Sequence, residues 1–308
     1  MVLIRNTNIL VDDFEFSKRN EIFKNYVYIL SHLHADHYKG LTNSFQCGKI
    51  YCSEDTGKVL SLKFPGIAEN IIGLKLNQEY EIPLNENTGV TCTLVLLDAN
   101  HILGSTMIFL KGYFGTVLHT GDFRWSRHLL NTNTYLFNKD ATMKYKIDEL
   151  IMDNTYCDPI FQFPAQQECI GYIKKIIDKN LPCRVKMFAY TIGKEEIAVQ
   201  LARHYKTKIV VGPQRYKNMI SLNFHPEMFT TNESQGFIHL ESGINSKKAH
   251  TVLDENQSNE TLIQINLSGW YNIKSYLSTK PNQYYVAYSS HSNYPELEDF
   301  LSIVKPGI

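Results

Sequence analysis

The sequence predicts an α/β protein, and three observations lead to that fold class. The first 150 residues contain short apolar or β-branched runs of strand length, whereas the stretch from Cys157 to Leu267 alternates helical and strand-like spacing. From Tyr284 to Ile303 a strand pattern is again followed by a helical one. A chain of 308 residues is long enough to bury a substantial core, either as one large domain or as two coupled ones.

The first part of the chain is predicted to be rich in β-strands. Its strand-like runs end in polar residues and are Val2 to Val11, Tyr26 to Ser31, Val90 to Leu97, Met107 to Leu110 and Thr116 to His119. Loops at strand ends are places where a rigid sheet brings side chains from distant parts of the chain together. The polar residues that follow these runs are therefore candidates for one shared site.

The middle part is predicted to alternate helices and strands. The helical patterns are Gln166 to Lys179 and Gly193 to Tyr205, and the strand patterns are Arg184 to Tyr190 and Lys208 to Val211. The stretch Ser242 to Glu260 is rich in Ser, Asn and Lys, which predicts a loop rather than a linker between independent domains.

Composition indicates a folded protein without a global charge bias. The hydrophobic share of 43%, the charged share of 20% and the 35 Tyr and Phe residues (19 and 16) argue against a disordered chain. The formal net charge is zero, so affinity for a polyanion has to come from a local basic surface or from bound cations.

The cysteines and the apolar segments indicate an intracellular, soluble protein. The six cysteines are scattered without a CxxC pair, which favours free thiols in a reducing compartment. The amino terminus lacks a signal-peptide pattern, and no stretch approaches the ~18 uninterrupted apolar residues of a membrane span. We therefore expect no membrane association.

The strongest motif is the segment Ser31-His32-Leu33-His34-Ala35-Asp36-His37, which follows a predicted strand. Three imidazoles and a carboxylate within six positions are the ligand types that Zn²⁺ and Mn²⁺ accept. A surface loop with incidental histidines is the alternative, but this spacing is rarely met by chance. The segment therefore predicts a metal-binding loop.

Two later strand ends supply further candidates. Asp98, Asn100 and His101 follow one predicted strand, and Asp122 lies in Thr-Gly-Asp-Phe-Arg after the strand ending at His119. A carboxylate has two oxygens and can bridge two ions, whereas an imidazole binds through one nitrogen. Asp122 is thus the natural bridging ligand.

These motifs together resemble the metallo-β-lactamase superfamily. The HxHxDH loop, the later histidine and the Thr-Gly-Asp-Phe-Arg turn are similar to its fold, which implies four layers in the order αββα. Two further stretches, Leu150 to Pro159 and Tyr288 to Tyr294, resemble the β-CASP branch and its Apollo, Artemis and Snm group of DNA nucleases. The resemblance covers nearly the whole chain, from Val2 to Lys305.

Within this group the chain is most similar to the Apollo branch of 5′ exonucleases. Val2-Leu3-Ile4 and Leu97-Asp98-Ala99-Asn100-His101 support that branch, whereas Tyr38-Lys39-Gly40-Leu41 and Asp12-Asp13-Phe14-Glu15 are closer to Artemis. The loop His101-Ile102-Leu103-Gly104-Ser105 departs from the Apollo pattern, His-Cys-Pro-Gly-Ser, although its histidine and Gly-Ser turn remain. The β-CASP motif that usually separates DNA-acting from RNA-acting members is expected beyond Ile308.

The resemblance implies a set of site residues. The first metal ion is expected at His32, His34, His101 and Asp122, and the second at Asp36, His37, Asp122 and His291. Catalytic roles are implied for Asp36, His37, Asp122, Asp12 and Asp153. Asp12 matches a carboxylate that orients the metal loop, with its neighbour Asp13 as the alternative. Asp153 matches the first β-CASP motif, and it has either a direct catalytic role or a structural one, bonding backbone amides.

Residues near the metal ligands are candidates for binding phosphate. Ser289 and Ser290 adjoin His291, and Gly193 and Lys194 open a predicted helix whose N–H groups can receive a terminal phosphate. An ordinary solvated lysine is the alternative for Lys194. Basic residues interleaved with tyrosines over residues 174–217 suit contacts with single strands, although a solvated helix face explains them equally well.

The resemblance implies a metal-dependent 5′-to-3′ DNA exonuclease acting on 5′-phosphorylated ends, in telomere-end processing or interstrand-crosslink repair. The alternatives are an Artemis-like endonuclease, an RNA-processing β-CASP nuclease and an inactive DNA-binding scaffold. The expected cofactor is Zn²⁺, as one or two ions, with Mn²⁺ or Mg²⁺ as alternatives at the second site. The expected partner is single- or double-stranded DNA, in the nucleus, for a monomer recruited by other proteins through a tail beyond Ile308.

The implied domain organisation is an insertion. Residues 1–156 and 268–308 are expected to form the metallo-β-lactamase domain, and residues 157–267 the β-CASP domain.

Overall fold

The computed structural model describes residues 2–15, 26–85, 89–189, 192–242 and 261–307. Its contacts divide the chain into two compact units: unit 1 comprises Met1–Cys157 with Ser290–Ile308, and unit 2 comprises Asp158–Ser289. Unit 1 is thus assembled from both ends of the chain. Among the described residues, no helix has both the length and the apolar character that a membrane crossing requires.

Unit 1 contains two five-stranded sheets. The first has the strands β1 (Val2–Leu3), β2 (Ile9–Val11), β3 (Val27–Ile29), β4 (Ile50–Ser53) and β5 (Ile71–Leu74), in that order. Only β1 and β2 are antiparallel neighbours there. The second is formed by β6 (Tyr80–Asn85), β7 (Val90–Asp98), β8 (Thr106–Gly112), β9 (Gly115–His119) and β10 (Glu149–Ile151), with the order β10-β9-β8-β7-β6 and only β9 and β10 parallel.

Six α-helices lie within the described residues. They are α1 (Glu54–Lys63), α2 (Leu129–Thr132), α3 (Gln166–Asn180), α4 (Glu195–Tyr205), α5 (Pro213–Ser221) and α6 (Tyr294–Val304). Helices α1, α2 and α6 belong to unit 1, and the other three belong to unit 2. Short 3₁₀ turns occur at Pro65–Asn70, Pro226–Met228, Glu233–Gln235 and Gly269–Tyr271.

The two sheets of unit 1 pack face to face, and strand β7 shows how. Successive residues of a strand point to opposite faces. Leu94 and Leu96 belong to the core between the sheets, whereas Val95 and Leu97 belong to the core on the other face of the second sheet. That second core includes Phe300 of α6. Strand β7 is therefore buried on both sides.

Helix α1 covers the outer face of the first sheet. Gly57 lets the helix lie close to the sheet, because a Cβ there would be 3.3 Å from Ile71 Cγ2 and 3.5 Å from Cys52 Sγ. The side chain of Ser53 caps the helix by accepting a hydrogen bond of 3.1 Å from Thr56 N. Unit 1 thus has the layers α, β, β and α, and the predicted fold class is confirmed.

Unit 2 is built around a mostly parallel seven-stranded sheet. Its strands are β11 (Cys183–Ala189), β12 (Ile209–Val211), β13 (Phe229–Thr230), β14 (Ile238–Ser242), β15 (Thr261–Leu267), β16 (Tyr276–Lys280) and β17 (Gln283–Val286). The order is β13-β12-β14-β11-β15-β17-β16, and only β16 and β17 are antiparallel. Helices α3 and α4 bury their apolar sides against this sheet.

Two sequence-based expectations need correction. The run Val2 to Val11 is not one strand but a hairpin, because the chain turns at Asn6, where φ is +58°. The expected domain boundary at residue 267 falls inside the sheet of unit 2, because β17 pairs with β15 in register Gln264 to Gln283. Residues 268–289 therefore belong with unit 2. Tyr190 and residues 243–260 of the expected loop lie outside the described residues.

Candidate metal centre

The main feature of the site is that four imidazoles surround one carboxylate oxygen. Asp122 Oδ2 lies 3.5 Å from Nε2 of His32, 3.4 Å from Nε2 of His37, 3.6 Å from Nε2 of His101 and 3.9 Å from Nε2 of His291. Ligand atoms about 2.1 Å from a tetrahedral ion are about 3.4 Å from one another. The spacing therefore matches atoms that share metal ions.

His34 completes the first group. Its Nδ1 lies 3.1 Å from Nε2 of His101, and one ligand atom each of His32, His34, His101 and Asp122 lie within 4.8 Å of one another. The sequence thus predicted four residues that the structure brings together from three separate loops.

An unpartnered buried nitrogen tests whether a metal fits. Within the described residues, Nε2 of His32 has no hydrogen-bond partner, although the side chain is fully buried. A buried polar atom without a partner costs free energy unless something binds it. A divalent cation satisfies this nitrogen, so the donor set fits a metal ion.

Asp12 and Ser31 determine which nitrogen of His32 faces the centre. Ser31 donates its hydroxyl hydrogen to Asp12 Oδ2 over 2.6 Å, so its oxygen accepts from Nδ1 of His32 over 3.0 Å. His32 is left with an unprotonated Nε2. Asp12 Oδ2 also accepts from Nδ1 of His37 over 2.7 Å. Asp12 therefore directs the Nε2 lone pairs of two imidazoles toward the metal site.

Asp153 has the same relation to His291. Its Oδ2 accepts from Nδ1 of His291 over 2.7 Å, and its Oδ1 accepts from the backbone N–H and the hydroxyl of Thr155 over 2.9 and 2.6 Å. His101 is oriented by a backbone group instead, since its Nδ1 donates to the carbonyl of Ser290 over 2.8 Å. Asp153 thus accepts from a backbone amide, as the structural alternative expects, and it also contacts His291; a direct catalytic role stays a prediction.

The charges around the centre favour cations. Burial, followed by neighbouring imidazoles, lowers the pKa of His32 well below its ordinary value and that of His101 to about 3, so both are neutral ligands. Burial works against the ionisation of Asp122, but His37 and the other imidazoles hold its pKa well below the usual range. Burial also opposes protonation of His37, yet Asp12 and Asp122 raise its pKa to about 10. A positive charge at His37 Nε2, from a proton or a metal ion, is therefore favoured.

Asp36 lies at the edge of the cluster. Its side chain is 81% exposed, and its Oδ2 is 3.8 Å from Nε2 of His37. It does not belong to the groups of closely spaced ligand atoms found among the described residues. Its role as a ligand of the second ion stays a prediction.

The expected phosphate binders have different surroundings. Gly193 N donates to Glu195 Oε2 over 2.7 Å, and the buried ammonium of Lys194 donates to the carbonyl of Leu267 over 2.7 Å. As positioned, both groups bond within unit 2, so Lys194 is not a solvated lysine. Ser289 is buried, while Ser290 is less enclosed. Phosphate binding by these four residues stays a prediction.

A glycine holds the Asp122 turn against the metal loop. Gly121 has φ +53°, and a Cβ there would lie 2.9 Å from Ser31 Cβ and 3.0 Å from Ser31 Oγ. The turn after β9 thus meets the segment after β3 in a contact that has no room for a side chain.

Helix α6 fixes the loop that carries His291. Arg124 pairs with Glu296 through Nε–Oε2 of 2.7 Å and Nη2–Oε1 of 2.8 Å, and Ser292 N donates to the carbonyl of Phe123 over 2.9 Å. Asn293 and Glu296 form a capping box at the start of the helix. The segment after Asp122 is thereby joined to the segment that begins with His291.

Sequence reasoning missed several of these supporting residues. Ser31, Thr155 and the Arg124–Glu296 pair were not singled out. A signal existed for two of them, because Asp153-Asn-Thr155 is an Asx-turn pattern and Asn293-Tyr-Pro-Glu296 is a capping-box pattern. Nothing local marks Ser31 as the link between Asp12 and His32.

Comparisons with known proteins identify relatives of the chain. Residues 223–307 match the family profile described as DNA repair metallo-beta-lactamase. The chain is 34% identical to 5′ exonuclease Apollo of Danio rerio over 99% of this chain and 50% of that protein. The same-named protein of Mus musculus is 32% identical, with 99% and 53% covered. This confirms the resemblance to the DNA repair metallo-β-lactamase proteins.

A DNA cross-link repair protein is also similar to much of the chain. DNA cross-link repair protein SNM1 of Arabidopsis thaliana is 30% identical over 91% of this chain and 59% of that protein. The chain spans about half the length of the Apollo relatives it matches. A solved structure of a protein of unknown function from Enterococcus faecalis V583 is similar to the chain, with a TM-score of 0.58 and 14% identity. The match covers 91% of this chain and 74% of that one, and it supports the fold alone. Together with the His and Asp cluster, the family match indicates metal binding.

Proposed function

We propose that this chain is a metal-dependent phosphodiesterase that removes nucleotides from the 5′ ends of DNA. The observation that carries the proposal is the cluster of four Nε2 atoms around Asp122 Oδ2. The names of the relatives, 5′ exonuclease and DNA cross-link repair protein, support the substrate and the setting in the nucleus. Telomere-end processing and interstrand-crosslink repair are the processes this activity would serve.

The proposed ligand sets keep Asp122 as the bridge. The first ion, Zn²⁺, would be held by His32, His34, His101 and Asp122. The second ion, Zn²⁺ or in its place Mn²⁺ or Mg²⁺, would be held by Asp36, His37, Asp122 and His291. The exposed carboxylate of Asp36 would have to turn inward from its present position 3.8 Å from His37 Nε2.

Two divalent ions would supply an activated water and neutralise charge on the phosphoryl oxygens. The protein's own residues do the positioning. Asp12 accepts hydrogen bonds from Ser31 Oγ and from His37 Nδ1. These bonds orient His32 and His37 so that the Nε2 atom of each ring faces Asp122. Asp153 does the same for His291. We infer that both carboxylates act through imidazoles rather than by touching the substrate.

We further propose that unit 1 is the metallo-β-lactamase domain and unit 2 the β-CASP domain. Ser290, adjacent to His291, is the proposed hydroxyl donor to a 5′-phosphate, with Ser289 beside it. Phosphate binding by Gly193 and Lys194 requires that their present bonds to Glu195 and Leu267 break. We also propose that the protein is a monomer. Protein partners would recruit it through a segment outside this chain.

One end-labelled cleavage assay tests the activity. Single-stranded DNA and RNA, each with a 5′-phosphate or a 5′-hydroxyl, are incubated with the metal-loaded protein. We expect mononucleotides to be released from 5′-phosphorylated DNA. The double variant Asp36→Ala/His37→Ala should lower the rate by more than about a hundredfold, the loss of a few kcal/mol of metal-derived stabilisation.

An exposed histidine of α4 provides the matched control. His204→Ala removes an imidazole outside the cluster and should cleave at the wild-type rate. Unchanged cleavage by the double variant would refute the site, and a strong preference for RNA would replace the proposed substrate.

A further inference from the structure

A lysine at the end of helix α1 lies beside two aromatic rings that contact each other. Lys63 Nζ is 5.3 Å from the ring centroid of Tyr38 and 5.7 Å from that of Phe64. The two rings contact each other edge to face, with centroids 5.8 Å apart and an angle of 73°. We call Tyr38, Lys63 and Phe64 the Lys63 clamp.

Lys63 differs from two nearby lysines in its ion pairing. Lys58, on the same helix, forms an ion pair of 2.9 Å with Asp55, and Lys39 forms one of 3.1 Å with Glu15. Within the part of the chain that the structure describes, Lys63 has no carboxylate within 4.0 Å. None of the described carboxylates therefore neutralises its positive charge.

The aromatic rings restrict Lys63 without neutralising it. A cation over an aromatic face gains about 0.5–1 kcal/mol at exposed sites. The rings leave the three ammonium hydrogens able to donate, and they hold a side chain that otherwise has many rotamers. Binding an anion then loses less conformational entropy than binding by a free lysine.

The Lys63 clamp is connected to the metal centre by two contacts of α1. Tyr38 directly follows the ligand candidate His37 in the chain. At the other end of the helix, Thr56 Oγ1 donates over 2.9 Å to the carbonyl of Gly104, in the loop that carries His101. The helix thus contacts the two segments that supply the histidines of the first ligand group.

We propose that Lys63, held by Tyr38 and Phe64, binds a backbone phosphate of the nucleic acid strand whose end lies at the metal centre. This inference rests on the proposed function. Lysine in the last turn of a helix also interacts favourably with the helix dipole. That role alone predicts a change in stability and no change in DNA binding, so the two roles are separable.

Binding to a strand that resists hydrolysis provides the test. The metal-loaded protein is titrated into a fluorescent, 5′-phosphorylated oligonucleotide with phosphorothioate linkages, and affinity is measured by anisotropy over a range of salt concentrations. Lys63→Gln should weaken binding and lower the slope of log affinity against log salt by about 0.7, the value for one phosphate contact in a single strand. Lys63→Arg should keep the slope. Tyr38→Leu and Phe64→Leu should weaken binding less than Lys63→Gln.

Lys58→Gln is the matched control, because it removes one positive charge from the same helix. Its salt slope should equal that of the wild type, since Lys58 is already paired with Asp55. If Lys63→Gln and Lys58→Gln bind alike, the Lys63 clamp is not a phosphate contact. If the wild type bound the strand through Lys63 but did not cleave an unmodified oligonucleotide, the proposed function would be wrong, whereas the phosphate contact of Lys63 would remain supported.

Discussion

Asp12 and Asp13 are adjacent in the chain, but only Asp12 contacts the metal loop. Asp12 accepts hydrogen bonds from Ser31 N over 2.7 Å, from Ser31 Oγ and from His37 Nδ1. Among the described residues, Asp13 accepts a bond of 3.2 Å from Glu15 N. The sequence left the choice between them open, and the structure separates them by what they touch.

Asp12→Asn should impair the centre, whereas Asp13→Asn should not. The amide keeps the shape of the carboxylate but has no charge and only one acceptor oxygen. It therefore cannot accept both from Ser31 N at one position and from Ser31 Oγ and His37 Nδ1 at the other. We expect metal affinity or cleavage rate to fall by about 10- to 100-fold. Metal titration and a cleavage assay measure the two effects. Equal behaviour of the two variants would contradict the orienting role of Asp12.

The buried ammonium of Lys194 predicts a pH dependence of stability. Burial, followed by the positive charge of Arg215, lowers the pKa of Lys194 from 10.5 to about 8. Between these pH values the unfolded chain binds more protons than the folded one, so the free energy of unfolding should rise with pH. Relative to Lys194→Met, the wild type should gain at most about 3 kcal/mol across this range.

Urea unfolding of both proteins below pH 8 and near pH 10.5 measures the difference, because other groups titrate alike in the two. If the difference in the free energy of unfolding between the wild type and Lys194→Met were the same at both pH values, Lys194 would be solvated. The sequence placed Lys194 correctly at the start of a helix but gave no sign of its burial, since the bond to Leu267 joins residues 73 positions apart.

At the scale of elements, the turn after β9 depends on Gly121. Gly121→Ala introduces a left-handed alanine, which costs roughly 1–2 kcal/mol, and a Cβ 2.9 Å from Ser31 Cβ. We expect lower stability together with a loss of metal binding, because Ser31 orients His32. Unfolding measurements and metal titration test both parts.

Gly89→Ala is a matched control for this variant. Gly89 has φ +66°, but a Cβ there would have no atom within 4 Å. Gly89→Ala should lose similar stability, because its alanine also has a left-handed backbone conformation, but it should keep full metal affinity. If Gly89→Ala also lost metal, the effect would come from general destabilisation rather than from displacement of Ser31.

The local motifs were predictable because short-range spacing determines them. The HxHxDH loop and the Thr-Gly-Asp turn each follow a strand, and both lie where the sequence places them. The edge of unit 2 was not predictable. Strand β17 joins the sheet by pairing with β15, with Gln283 opposite Gln264, and β16 then pairs with β17. The spacing of residues within each strand does not reveal these pairings.

At the scale of the whole molecule, metal binding should stabilise unit 1. A ligand that binds only the folded state raises stability by about 2.7 kcal/mol at a free concentration a hundred times its dissociation constant. Chelation should therefore lower the melting temperature, and added Zn²⁺ should restore it. In Asp122→Asn the fall in melting temperature on chelation should be smaller, because the carboxylate proposed to bridge the two ions is lost. A fall as large as that of the wild type would contradict the proposed bridging role of Asp122.

The proposed ligands of the centre extend from His32 to His291, so they span most of the 308 residues. During synthesis on the ribosome, the early histidines emerge long before the segment that supplies His291. The complete centre cannot assemble until translation of this region has passed that residue. A nascent chain that has not yet reached His291 therefore lacks part of the proposed ligand set, and we expect it to lack the proposed cleavage activity.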